Sequence, residues 1–61
     1  MSEKERIMLE CRYILSLNKN YYDIAKFMKL NWKIIYDDLN VKLPNIDSLL
    51  YRKVKKVLNN T

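Results

Sequence analysis

No glycine occurs anywhere in this chain, and its one proline is Pro44. Tight β-hairpins rely on residues that accept positive φ, glycine first among them, so a chain without it turns its corners by other means. No window alternates apolar and polar residues for long; Ile, Leu, Met, Lys and Asn dominate, and apolar residues recur at helical intervals. The class expected is all-α. Sixty-one residues allow one domain, and a domain of that size buries only about 60% of the surface its unfolded chain exposes. The core is thin, and there is no room for a scaffold and a substrate cleft together.

The spacing predicts a small bundle of three to four helices. Ser2-x-x-Glu5 is a capping-box pattern opening a helix that stops near Leu17, with Ile7, Cys11 and Ile14 on its inner stripe and Met8 and Leu15 beside them. Asn18-Lys19-Asn20 makes a polar corner. Asn20 caps a second helix from Tyr21, where Asp23 suits the positive end and Ile24, Ala25 and Met28 face inward. Lys29 takes the next corner, and Asn31 caps a third helix over 32–39. Leu30 and Ile35 have the spacing of a hydrophobic staple, and Ile35 and Leu39 form the inner face. Residues 40–44 read as a linker, because Pro44 disfavours helix at Leu43. A last helix, over about 48–59, follows Asp47, with Leu50, Val54, Val57 and Leu58 opposite Arg52, Lys53, Lys55 and Lys56.

Charge and chemistry narrow the function. The net charge is +5: residues 1–17 balance to zero, 18–39 hold +1 and 40–61 hold +4. A positive field at the C-terminal end suits a polyanion. Cys11 is the only cysteine and His is absent, which leaves no disulfide, no zinc set and no nucleophile–base pair. Asp37 and Asp38 are adjacent and diverge on a helix, so they do not converge on one proton. Neither an enzyme nor a metal or cofactor protein is expected. MSEKER carries no apolar core of a signal peptide, and no apolar run approaches a membrane span. A cytoplasmic protein that does not engage membranes is the expectation, a monomer or weak dimer since no heptad seam is present.

Ile24, Ala25, Met28, Leu30, Ile35 and Leu39 meet the spacing of a helix-turn-helix over about 21–40, although an ordinary helical bundle makes the same demands. The run Ile24-Ala25-Lys26, then Asp38-Leu39 and Leu43-Pro44-Asn45-Ile46, resembles the stage III sporulation protein D family of small bacterial transcriptional regulators. The similarity extends from about Glu5 to Leu58 and includes Tyr13-Ile14. It implies a helix-turn-helix, sequence-specific binding of double-stranded DNA, a role in sporulation gene control and a place at the bacterial nucleoid. Asp38 lies inside the shared pattern, which implies a structural bond to backbone or a basic neighbour. The chain departs from the family at Lys29, where glycine is usual, over Asn31-Trp32-Lys33-Ile34, where a hydroxyl-rich start is usual, and at Asp37, where a basic residue is usual; family members also extend into a longer basic tail.

With the third helix in a major groove, Asn31, Trp32, Lys33, Tyr36 and Asp37 face base edges. Lys33 then matches guanine O6/N7 and Asp37 matches cytosine N4. Lys19, Tyr21, Lys26, Arg52, Lys55 and Lys56 are the expected phosphate contacts, Tyr21 at a helix start where backbone N–H groups point outward. The alternative use of the same scaffold is a protein-interaction module with Trp32, Ile34 and Tyr36 as anchors, on which Asp37 is unremarkable.

Overall fold

The structure, a computed structural model, describes residues 2–59. Among the described residues six helical segments follow one another: α1 (Glu3–Leu17), α2 (Tyr21–Met28), α3 (Trp32–Asp37), a π-helical turn (Asp38–Lys42) leading into α4 (Leu43–Ile46), and α5 (Ser48–Asn59). No strand occurs among the described residues. The fold is all-α, as the absence of glycine predicts. α1 lies against α5, α2 against α3, and the π turn touches both α1 and α5. Ile7, Cys11, Ile14, Ile24, Ala25, Ile35, Leu39, Leu43 and Val54 form one core between these helices.

The starts of α1, α2, α3 and α5 are made by the residues their spacing predicts. Ser2 Oγ accepts from the Glu5 N–H (3.2 Å), Asn20 Oδ1 from Asp23 (2.9 Å), Asn31 Oδ1 from Lys33 (2.9 Å) and Asp47 Oδ1 from Leu50 (3.0 Å). Such caps satisfy N–H groups that have no partner inside the helix, each contributing about 1 kcal/mol.

Both sharp corners use the left-handed conformation without glycine. Asn18 ends α1 at φ 54°, ψ 45°, and Lys29 ends α2 at φ 59°, ψ 42°. Asparagine tolerates this region; lysine does so at a cost of roughly 1 kcal/mol. Lys29 stays there because the corner closes well: its N–H donates to Lys26 O (3.3 Å) and the Leu30 N–H reaches Ala25 O (2.8 Å). Lys29→Gly removes the strain, and the greater freedom of glycine in the unfolded chain offsets part of the gain. The expected result is a domain more stable by roughly 0.5 kcal/mol, a rise of about 2–4 °C in Tm. A fall in Tm in a thermal scan would refute the strain at this corner.

The expected linker over 40–44 is not a linker. α3, the π turn and α4 form one helical rod over 32–46, with Asp37, Asp38, Lys42 and Leu43 all in the right-handed helical region. Proline inside a helix lacks an N–H and its ring crowds the carbonyl four residues back. The π turn, with Leu43 N–H bonded to Asp38 O five residues back, widens the ladder just ahead of Pro44. Asn40 Nδ2 donates to Tyr36 O (2.9 Å) and Asn45 Nδ2 to Val41 O (3.2 Å), so two amides supply donors on either side of the disturbance. Complete burial of Leu43 draws this segment into the fold, contributing roughly 1.5–3 kcal/mol. The rod ends at Asp47, which is extended (φ −156°, ψ 97°). Leu15, expected beside the inner stripe of α1, is exposed, whereas Glu10 is fully buried.

Candidate nucleic-acid interface

Beyond the corner at Lys29, α3 turns one side to the core and the other to solvent. Ile35 and, one turn on, Leu39 are fully buried. Asn31, Trp32, Lys33, Tyr36 and Asp37, the expected base-reading set, are all exposed. A row of rings runs along this surface. Tyr22 meets Trp32 at 5.5 Å between centroids, Trp32 meets Tyr36 edge-on at 6.2 Å, and Tyr36 meets Tyr21 at 5.3 Å. Pairs at these separations contribute about 0.5–1.5 kcal/mol each and hold α2 to α3 from outside. Even so, Tyr22, Trp32 and Tyr36 keep 63%, 38% and 48% of their surface accessible.

The charged residues divide by their partners. Lys33, Lys19, Lys26, Arg52 and Lys56 are exposed and engage no side chain among the described residues. Asn31 spends its Oδ1 on the cap. Asp37 Oδ2 stands 4.0 Å from Lys42 Nζ, which also lies 3.0 Å from Glu3 Oε1 and 3.6 Å from Asp38 Oδ1. The hydrogen bond to Glu3, helped by the nearby carboxylates, raises the Lys42 pKa and keeps it charged. Lys42 is thus shared among three carboxylates, and Asp37 makes the longest of the three contacts.

Asp38 is structural. Arg6 grips it with two parallel bonds, Nε to Oδ2 and Nη2 to Oδ1, both 2.8 Å. Burial alone would raise the Asp38 pKa, but the Arg6 bonds, the Glu10 hydrogen bond and the charges of Arg6 and Lys42 outweigh it and hold the pKa below the usual carboxylate range. Glu10 lies beside this pair, fully buried, with Arg6 Nε 3.7 Å from its Oε2. As a carboxylate, Glu10 has no donor for either oxygen. As a carboxylic acid it has Asp38 as an acceptor, and burial together with Asp38 pushes its pKa up to about 9. Cys11, pushed up to about 12 by burial and by Glu10, is a buried thiol.

Two of the expected phosphate contacts come together through a residue assigned to the linker. Asn40 Nδ2 donates to Tyr21 Oη (3.0 Å), and Lys55 Nζ donates to Asn40 Oδ1 (3.0 Å). This network ties the start of α2 to the rod and to α5. The sequence places Asn40 on the outer face beside Lys33 and Tyr36 but gives it no site role, because Pro44 masks the helix that continues past it. Tyr22 was visible only as one of two adjacent tyrosines, of which Tyr21 is half-buried and Tyr22 exposed. No helix among the described residues is long and apolar enough to cross a membrane. Comparison with protein-family models, with curated proteins and with solved structures finds no match.

Proposed function

We propose that this chain is a sequence-specific DNA-binding transcriptional regulator of the bacterial sporulation-regulator kind, acting at the nucleoid. In this reading α2 and α3 are a helix-turn-helix, and α3 reads the major groove. One observation carries it: a sharp corner at Lys29 separates two helices, and the second exposes Trp32, Lys33 and Tyr36 while burying Ile35 and Leu39. A rod unbroken through Lys29, or a covered Lys33, would have left no reading surface. The uncommitted cations Lys19, Lys26, Arg52 and Lys56 supply the polyanion field.

Selection of bound duplexes from a random pool, followed by gel shifts on the selected site and on random duplex, tests the reading. Lys33→Ala is expected to lower affinity for the selected site about tenfold while leaving random duplex nearly unaffected. Lys56→Ala is expected to weaken all sequences alike and flatten the log K against log salt slope by about one. Equal losses on both duplexes for Lys33→Ala would remove its role as a base reader. The exposed row of Tyr22, Trp32 and Tyr36 also favours a second reading, a protein-docking surface rich in aromatic anchors. Absence of any retardation at low salt, from a protein helical by circular dichroism, would transfer the proposal to that reading.

A further inference from the structure

The amide of Asn40 has only one possible orientation. Tyr36 O accepts and cannot donate, so Nδ2 must face it; the Lys55 ammonium donates and cannot accept, so Oδ1 must face that side. The remaining Nδ2 hydrogen points to Tyr21 Oη, 3.0 Å away. Tyr21 is therefore the acceptor in this bond, and its own O–H proton is left for a partner elsewhere. Among the described residues no side chain or carbonyl takes it, and Lys55 keeps two of its three N–H donors. Three groups from three elements thus leave a hydroxyl donor and an ammonium on either side of one amide. Tyr21 packs on the ring of Tyr36, so these donors border the exposed face of α3.

We propose that Tyr21 and Lys55, held in place by Asn40, form a single preorganised site for a phosphodiester oxygen. Tyr21 O–H and Lys55 N–H donate to the anion. Asn40 is a positioning residue: it does not bind the phosphate itself but fixes which way the tyrosine proton and the ammonium point. The source of the phosphodiester is the backbone of a DNA duplex lying along α3, and to that extent the site rests on the DNA-binding reading. One neutral and one cationic donor suit a singly charged group with more than one acceptor oxygen, which a phosphodiester is.

The test separates the site from the reading. Diethyl phosphate, a monoanionic diester, is titrated into ¹⁵N-labelled protein while the Asn40 side-chain amide and the Lys55 ammonium are followed by NMR. Saturable shifts at both are expected in the wild type, with loss of the Lys55 shift in Asn40→Ala. On duplex DNA, Tyr21→Phe, which removes one oxygen and leaves the ring packing, is expected to weaken binding about fivefold. Asn40→Ala is expected to weaken it about tenfold and lower the salt slope although no charge is removed. The double variant should be no weaker than Asn40→Ala alone, because both remove the same contact. Wild-type affinity and slope in both single variants, with duplex still bound by the parent, would overturn the site and leave the DNA-binding reading intact. Shifts with diethyl phosphate but no binding to any duplex would keep the site and overturn that reading. Shifts absent from Asn40 and Lys55 would overturn the site outright.

Discussion

Arg6→Met is expected to leave the domain largely unfolded at 37 °C, with a loss of about 3–5 kcal/mol. A chain of this length has a total stability on the order of 3–9 kcal/mol, so one such loss consumes most of it. The reason lies in Asp38, which is fully buried and takes both of its short bonds from the Arg6 guanidinium. With Arg6 gone, the remaining cation is Lys42 at 3.6 Å, a longer contact from a partly exposed side chain. A buried carboxylate stripped of its fork is the costly species, more than the pair itself is a stabilising one. Arg6→Lys should recover little, since an ammonium cannot reproduce two parallel bonds. Replacing Arg6, Glu10 and Asp38 together by apolar residues of similar volume should restore much of the stability, because no charge then remains to be solvated. Urea unfolding followed by circular dichroism reads all three variants. An Arg6→Met midpoint equal to that of the parent would mean that water or Lys42 solvates Asp38 fully.

Most of the architecture was legible because local rules and the tertiary fold agree. Ser2, Asn20, Asn31 and Asp47 cap helices wherever a polar residue precedes an apolar stripe. The corner at Lys29 follows from the same logic: Ile35, fully buried, and Leu30, partly buried, anchor the helix after it and override the reluctance of lysine to take positive φ. What was not legible reflects competitions that local rules do not contain. Pro44 signals a break, yet a π turn relieves its clash and the burial of Leu43 keeps the rod helical. Glu10 occupies a helical face next to Cys11 and reads as a solvated charge, yet it is among the most buried residues in the chain. What brings it inside is a partner 28 residues away in sequence, Asp38, itself drawn in by Arg6. The exposed face of α3 was foreseen residue by residue. The Asn40 link between Tyr21 and Lys55 was not, because it depends on the rod continuing past Leu39.

Glu10→Gln is expected to stabilise the domain at neutral pH by about 3 kcal/mol and to abolish most of its loss of stability in alkali. The pKa of Glu10 is raised from an ordinary 4.5 to about 9 by burial and by the neighbouring Asp38. In the unfolded chain the group ionises near its ordinary value, so between the two the native state binds a proton that the unfolded state does not. Stability is then fully present below pH 4.5 and falls by about 1.4 kcal/mol per pH unit until the native group also ionises near 9. Asp38 acts in the opposite sense: its lowered pKa contributes stability above the ordinary aspartate range that is lost in acid. The two together place the optimum of the parent near the ordinary carboxylate pKa values, on the acid side of neutrality. Glutamine keeps the shape and an N–H donor for Asp38 but carries no proton to lose. Urea midpoints at pH 4.5, 7 and 9 decide the matter. The parent should decline steadily across that series while Glu10→Gln stays nearly level, the two meeting at the acid end. At pH 7 the variant should unfold at about 3 M higher urea, given a slope near 1 kcal/mol per molar for a chain this short. Parallel declines in both proteins would show that Glu10 is already ionised in the native state. The buried carboxyl would then have to be solvated by Arg6 and Lys42, not by a proton held against Asp38.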